Sequence, residues 1–371
     1  MNEELTLKLA EYVAHLLLHI NCDGQKPEKP AEIPWEMVYA FTKFHFLASG
    51  IYSSVEESVK AEATPELVAK WNKRRTSDLA QHIKQSAEFS KITAAFTEEK
   101  INFLPLKGFI YKSLWKNPAH RTMSDMDIYF YPDDFPRVDA VLRSLGYEQT
   151  YQGDVDDGYK KKPFVNIEAH KKFFRGGEPI PFDTWESKPD NPYWHIMSHE
   201  QFLLFGIEHA KKHYANGGCG MRVVFDFFLY MKRFESEIDR ASLEAALKTG
   251  GFFDFFQSLS RLADYWFCGG CPDDATKLVA FYVATGGAYG SGDNVAVNTI
   301  KKRGRLRYVL SRLFPPYSIM KKRFPILNKL PILLPFAYIL RFLISVFNGG
   351  SKREIRRIKR YNEVKRKESG E

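Results

Sequence analysis

Asp125 and Asp127 stand two residues apart at the start of Asp125-Met126-Asp127-Ile128-Tyr129-Phe130, where acidic and apolar side chains alternate and so predict a β-strand. Side chains two apart on a strand share a face, so the two carboxylates stand side by side while Met126 and Ile128 enter a core. Adjacent carboxylates repel, and the pair is costly unless a cation neutralises it. Hard oxygen ligands suit Mg²⁺, which keeps other positions for water and phosphate oxygens. A later predicted strand, Val165-Asn166-Ile167-Glu168-Ala169-His170, places Asn166, Glu168 and His170 on one face and makes Glu168 the candidate third acid. Three carboxylates on adjacent strands can hold two Mg²⁺ ions about 3.5–4 Å apart, which activate an acceptor hydroxyl and stabilise charge at a reacting phosphate. An Asp-x-Asp pair alone is equally at home on an exposed strand face. Upstream, however, the strand-like Ile101–Leu106 runs into Lys107-Gly108 and a helical FIYKSLW. A glycine there permits a tight turn that brings backbone N–H groups toward an anion.

Other clusters carry weaker signals. His209 and His213 lie at i and i+4 beside Glu208, a metal-ligand spacing, but the order lacks H-E-x-x-H and the third ligand would be remote. Asp226, in the apolar VVFDFF, is expected to be buried beside a partner such as Arg222, because an unpaired buried carboxylate is costly. Cys268 and Cys271 have C-x-x-C spacing with no second such pair and read as two thiols in a helix-ending turn.

The elements that must position these groups follow from the hydrophobic period. Residues 1–98 read as helices with a proline-marked loop at Pro27, Pro30 and Pro34. Residues 99–195 read as a small mixed sheet, with Pro132-Asp133-Asp134 opening a helix capped by an acidic side chain and with two strands, Tyr147–Gln152 and Tyr159–His170, around the turn GDVDDG. Residues 196–347 return to helix, and 348–371 form a basic tail expected to be flexible. The fold class is therefore α+β, a small mixed sheet flanked by helical regions.

The charge is unevenly placed. The chain of 371 residues has a formal charge of +9, but residues 1–300 balance at −7 and residues 301–371 at +16. Basic character thus belongs to the C-terminal end, which points to a polyanion or an anionic membrane surface as its partner. No aromatic-interleaved pattern there suggests sequence-specific nucleic-acid reading. The apolar Phe324–Phe347 carries Lys329, Arg341 and three prolines, so it lacks the ~20 uncharged residues of a spanning helix; it reads first as a helical layer packed on the body with a solvated basic end, and otherwise as a segment lying along an anionic membrane surface. Four cysteines are too few for a disulfide scaffold, and the N-terminus has no basic region before its apolar stretch, so the expected setting is the cytoplasm, with peripheral contact at the inner membrane face as an extension.

The segment LPLKGFIYKSLWKNPAHRTMSDMDIYFYP resembles the Leu-Lys-Gly, Arg, Asp-x-Asp block of a bacterial family of uncharacterised nucleotidyltransferases within the DNA polymerase β-like superfamily. NIEAHKKFF is similar to that family's acid-x-His strand, and IEHAKKHYANGGCGMRVVFDFFLYMKR to its later helical segment. The resemblance covers most of residues 35–345. It implies a polymerase β-like core in which Gly108 opens a phosphate-binding turn and Asp125, Asp127 and Glu168 bind two Mg²⁺ ions, Mn²⁺ being a substitute. It further implies transfer of a nucleoside monophosphate from an NTP to a protein or small-molecule acceptor, with release of pyrophosphate. Lys107 and Arg121 would contact the triphosphate, and His170, His209, Lys212, His213 and Arg222 would face the nucleotide or acceptor. One departure stands out: the superfamily usually follows the glycine with serine or glycine and about ten residues before the first acid, whereas here Phe109 follows Gly108 and sixteen residues separate Gly108 from Asp125. That departure motivates an alternative, a nucleotide-binding module without catalysis, and the basic C-terminus a second one, binding of a polyanion or a membrane surface.

Overall fold

A computed structural model describes residues 3–163, 165–173, 182–347, 354–359 and 361–362. The chain divides into two compact units, Met1–Lys211 with Gly220–Ala288, and Lys212–Cys219 with Tyr289–Glu371. The first unit opens with four helices, α1 (Glu3–Cys22), α2 (Trp35–Phe44), α3 (Ala48–Glu62) and the long α4 (Pro65–Glu98). Thr64 starts α4 by accepting the Leu67 N–H, with Pro65 at the first helical position, where a missing N–H costs nothing.

After α4 the period changes to two and the sheet begins: β1 (Leu104–Pro105), α5 (Gly108–Ser113), β2 (Met126–Tyr129), α6 (Phe135–Ser144), β3 (Glu148–Gln152), β4 (Asp156–Lys161) and β5 (Val165–His170). The strand order is β1-β2-β5-β4-β3. Within this sheet, among the described residues, β2–β5 is the one parallel pair, and it sets Asp127 beside Glu168 and Tyr129 beside His170. The architecture is α+β with a small mixed sheet, as the hydrophobic pattern predicts.

Three local expectations are corrected. The single strand Tyr159–His170 is two strands, β4 and β5, and the second half of the acidic turn is already inside β4, because Asp157 pairs with Ala169 and receives the Lys171 ammonium at 2.7 Å. No acidic side chain caps α6, which is instead entered through a 3₁₀ turn at Pro132–Asp134. A hairpin, β6 (Glu186–Lys188) and β7 (Asn191–Ile196), went unpredicted; β7 runs beside Phe103, whose N–H donates to the Tyr193 carbonyl and whose carbonyl accepts the His195 N–H. Too short and polar to alternate clearly, it is held by pairing with residues ninety positions away.

The alternation that divides the carboxylates from the apolar side chains also divides the sheet. One face carries Met126, Ile128, Phe130, Val165, Ile167 and Ala169, all buried against Ile92 and Phe96 of α4 and Val138 and Leu142 of α6. The other carries Asp127, Glu168 and His170, and further along Tyr129, covered by Phe173, Trp185 and Phe205. Helices α7 (His199–Ala215), α8 (Gly220–Phe234), α9 (Arg240–Thr249), α10 (Phe253–Phe267) and α11 (Asp274–Gly286) follow. Cys268 forms the C-cap of α10, and both it and Cys271 are exposed free thiols, matching the turn reading. His45 fixes the start of α8: its Nδ1 accepts the Met221 N–H and its Nε2 donates to the Ala284 carbonyl, both at 3.0 Å. Burial lowers its pKa to about 4, so the imidazole is neutral and can hold both bonds.

In the second unit, α12 (Gly292–Arg303), α13 (Arg305–Leu313), α14 (Tyr317–Arg323) and α15 (Leu334–Phe347) form two small clusters, one around Ala296, Ile300 and Tyr308 and one around Met320, Leu327 and Ala337. Of the basic tail, 354–359 and 361–362 are helical; the rest of 348–371 lies outside the described residues.

Glu88 on α4 is a buried carboxylate with a structural duty. Its Oε2 accepts the Lys161 ammonium at 2.7 Å and the Tyr147 hydroxyl at 3.1 Å, tying α4 to β4 and to the segment before β3. Burial alone would raise its pKa, but Lys161 and Tyr147 outweigh that and bring it down to about 2. A carboxylate with a depressed folded-state pKa stabilises the fold above its unfolded value, and the stabilisation is lost as pH falls through the folded value. Glu88→Gln should therefore lower unfolding stability by about 1–3 kcal/mol at neutral pH. In urea titrations the parent should lose that advantage between pH values of about 4.5 and 2, and the variant should show a flatter profile there.

Candidate active site

Lys107 and Gly108 form the turn between β1 and α5. Lys107 holds φ of 31°, an unfavourable value for a residue with a Cβ. A Cβ at Gly108 would lie 2.2 Å from Met123 Sδ, so any side chain there would force Met123 to move. The Lys107 ammonium, carried by this turn, donates to Asp127 Oδ1 at 3.1 Å and lies 5.4 Å from the centre of the Phe205 ring. His170 Nε2 donates to the same Oδ1 at 3.0 Å and stands 3.7 Å from Glu168 Oε2. The departure at position 109 has a packing explanation: Phe109 stacks on Phe89 of α4, ring centres 3.7 Å apart, and serves the apolar layer beneath the turn.

The electrostatics follow from this crowding. Burial would push Asp127 upward, but Lys107, His170 and His209 overcome it and hold the carboxyl far below its ordinary value. Glu168 goes the other way, pushed up to about 8 by burial and by the charges of Asp127 and Asp125. Asp125 is also raised, by burial and by Asp127, and it shares a hydrogen bond with Glu168. Lys107 beside Asp127 thus favours the charged form of that carboxylate, while burial and the neighbouring acids raise both Asp125 and Glu168.

Such a set fits a divalent cation. Ligand atoms of Asp127, Glu168 and His170 lie within 4.8 Å of one another, and His170 Nδ1 is buried with no hydrogen-bond partner among the described residues. His170, expected to face a nucleotide, is placed inside the acidic cluster.

Arg121, expected to contact a triphosphate, is paired with Asp226. Its Nε and Nη2 form a bidentate pair with that carboxylate at 2.9 and 2.7 Å, and its Nη1 donates to the Gly108 carbonyl at 3.2 Å. Trp115 Nε1 donates to Asp226 as well, at 2.8 Å. The predicted burial of Asp226 holds, but with Arg121 and Trp115 as its partners; Arg222 donates to the Thr122 carbonyl and lies over the Phe46 ring. The ion pair braces the Gly108 turn from behind. His209 and Arg222 belong to the same unit as the acids, and both bear electrostatically on them. Lys212 and His213 continue α7 in the segment grouped with the second unit.

Beside Asp125 opens a cavity of about 390 Å³, lined by Arg74, Gln81, Thr122, Ser124, Lys160 and Asn166 among others. Asn166 lies on β5 two residues before Glu168, hence on the same sheet face, and Lys160 is its direct neighbour on β4. The Gln81 amide nitrogen donates to the Met123 carbonyl and that of Asn166 to the Ser124 carbonyl, which fixes both side chains. Arg74 and Gln81 went unnoticed in the sequence, because they sit on α4 some fifty residues before the acids in a pattern shared with any solvated helix face. Lys160 could have been found only from the β4–β5 register.

The chain matches, over residues 31–268, the family described as uncharacterised nucleotidyltransferases, and it belongs to that family. Its chemistry is therefore nucleotidyl transfer, and an NTP is its implied substrate. No curated protein matches the chain. Among solved structures, the antibiotic-resistance factor ANT(2'')-Ia in solution is similar at 13% identity, covering 51% of this chain and 100% of that one with a TM-score of 0.36. The crystal structure of ANT(2'')-Ia in complex with adenylyl-2''-tobramycin is similar at 14% identity, covering 45% and 98%, also with a TM-score of 0.36. Likeness at this level carries no argument about the chemistry of this chain.

Replacing Asp226 with Asn leaves the Arg121 guanidinium buried against a neutral group and should cost about 3–5 kcal/mol of unfolding stability. Arg121→Lys keeps the charge but loses the planar fork, and should be nearly as damaging. Equilibrium urea denaturation measures both.

Proposed function

We propose that the chain transfers a nucleoside monophosphate from an NTP to a hydroxyl group of a small polar acceptor in a Mg²⁺-dependent reaction that releases pyrophosphate. The observation that carries this reading is the β2–β5 register, which puts Asp127 directly beside Glu168 with Asp125 hydrogen-bonded to the same glutamate. Asp125, Asp127 and Glu168 would hold the metal, with His170 adjoining; bound there, divalent cations supply the charge that neutralises polyphosphate and acidifies an acceptor hydroxyl.

The chain's own residues do the remaining work. Lys107, now neutralising Asp127, becomes available to a phosphate oxygen once another cation takes that role, and the strained turn and Gly108 keep its ammonium at the site. Arg222 and His209 contribute positive charge on the helical side. Arg121 acts through the turn it braces. As the acceptor oxygen bonds to the α-phosphorus, the bond from that phosphorus to the β-phosphate's bridging oxygen breaks; pyrophosphate leaves and the hydroxyl proton passes to solvent.

The cavity beside Asp125 suits the acceptor. With their nitrogens tied to backbone carbonyls, Gln81 and Asn166 present amide oxygens that accept hydrogen bonds from hydroxyl groups, while Lys160 and Arg74 add donors. A polyhydroxylated molecule with an anionic substituent matches that lining.

Asp127→Asn and Asp125→Ala should each reduce pyrophosphate release by about 10³-fold or more, equivalent to about 4 kcal/mol of transition-state stabilisation. Chelation of divalent metal should abolish turnover, and added Mg²⁺ restore it. Turnover that survives Asp127→Asn would refute the assignment, and saturable NTP binding with no pyrophosphate under any metal would establish the non-catalytic alternative. Once an acceptor is in hand, Asn166→Ala and Gln81→Ala should raise its KM while leaving the KM for NTP nearly unchanged, as steady-state kinetics would show.

A further inference from the structure

The second unit carries a surface that its own fold does not explain. Sixteen of the twenty-three exposed large apolar side chains among the described residues fall between Leu306 and Phe347. The same stretch, taken from residue 301 to 347, holds eleven Lys and Arg and not one Asp or Glu. Each property alone is ordinary; together they describe a stretch that is both apolar on its exposed side and predominantly cationic, with Glu354 as a nearby carboxylate paired to Arg312.

The geometry sharpens this. In α15 only Ala337 is buried, and Phe336, Ile339, Phe342, Leu343 and Phe347 are all exposed. The two 3₁₀ turns before it, Pro325–Asn328 and Pro331–Leu333, project Ile326 and Ile332, the latter 82% exposed. Contiguous exposed apolar surface of this kind marks an interaction site. Its 14 residues give α15 a length of about 21 Å, short of the ~30 Å hydrocarbon core, and no helix among the described residues is long and apolar enough to cross a membrane. A helix of this length with Arg341 in its middle can lie in the plane of a lipid interface. Its neighbours Lys321, Lys322 and Arg323, at the end of α14, then meet headgroups, while their stems and the apolar side chains meet acyl chains.

We infer that residues 305–347 are a peripheral docking surface for an anionic lipid bilayer. Charge complementarity selects this occupant. A second copy of the chain would bring the same predominantly cationic face against itself, its Glu354 already paired with Arg312 and Arg357, and a nucleic-acid duplex would leave the apolar side chains in water. A bilayer containing anionic lipid satisfies both halves of the surface at once.

The test is co-sedimentation of the full chain with vesicles of phosphatidylcholine alone and of phosphatidylcholine doped with phosphatidylglycerol. The expected result is binding to the doped vesicles, weakened by salt and at least about tenfold weaker in Lys321→Glu/Lys322→Glu/Arg323→Glu, given roughly 1 kcal/mol per basic residue near an anionic surface. Ile332→Ser/Phe336→Ser/Phe347→Ser, which alters only exposed side chains, should weaken vesicle binding while retaining the parent's circular dichroism. Failure to sediment with doped vesicles would overturn the inference. So would unchanged vesicle binding by the apolar variant, which would reduce the surface to a polyanion site. A concentration-dependent dimer that this variant abolishes, without vesicle binding by the parent, would show that a second copy covers the face.

Discussion

Like charge crowded onto one sheet face is the constraint on which the first unit depends. Asp127 and Glu168 are neighbours across two parallel strands, with Asp125 joined to Glu168; Asp127 is buried and the other two are half-buried. Left alone, the arrangement would be untenable. It is tolerated because Lys107 and His170 both donate to one oxygen of Asp127, and because burial and the charge of Asp127 disfavour the charged forms of Asp125 and Glu168. Lys107 and His170 thus substitute for the water that would stabilise an exposed carboxylate.

Much of the surrounding fold serves to hold these substitutes in place. The Lys107 ammonium reaches Asp127 because the backbone at Lys107 adopts a positive φ, and because Gly108 leaves room for Met123. Arg121 fixes that turn through the Gly108 carbonyl, and Asp226 fixes Arg121 from α8. The start of α8 is pinned in turn by a neutral buried histidine at the end of α2. A chain of polar contacts thus runs from the N-terminal helices to the acids, each link satisfied because each is buried.

Phe109 shows how a departure at a site can have a packing role of its own. Compared with a serine or glycine it removes a hydroxyl, which suggests a weakened phosphate turn. In the fold its ring stacks on Phe89 and belongs to the layer between α4 and the sheet. The same layer contains Met126 and Ile128, the apolar partners that alternate with the acids. Packing on one side of the sheet and charge on the other are therefore set by the same strand.

Sequence alone determined the parts that depend on local period and chain neighbours: the helical character of residues 1–98, the strand of alternating acids, the shared face of Asn166, Glu168 and His170, and the family itself through its Leu-Lys-Gly and Asp-x-Asp block. It also located the basic end, since charge is countable. Only the tertiary structure decided what depends on register and distance. It alone split one predicted strand into β4 and β5, gave Asp226 to Arg121, and drew Arg74 and Gln81 beside Asn166 to line a cavity. It alone left the apolar side chains of α15 exposed, where their sequence reads equally well as a buried layer. Periodicity reports which side of an element is apolar; what meets that side is fixed by partners far away in the chain, and no local pattern encodes them.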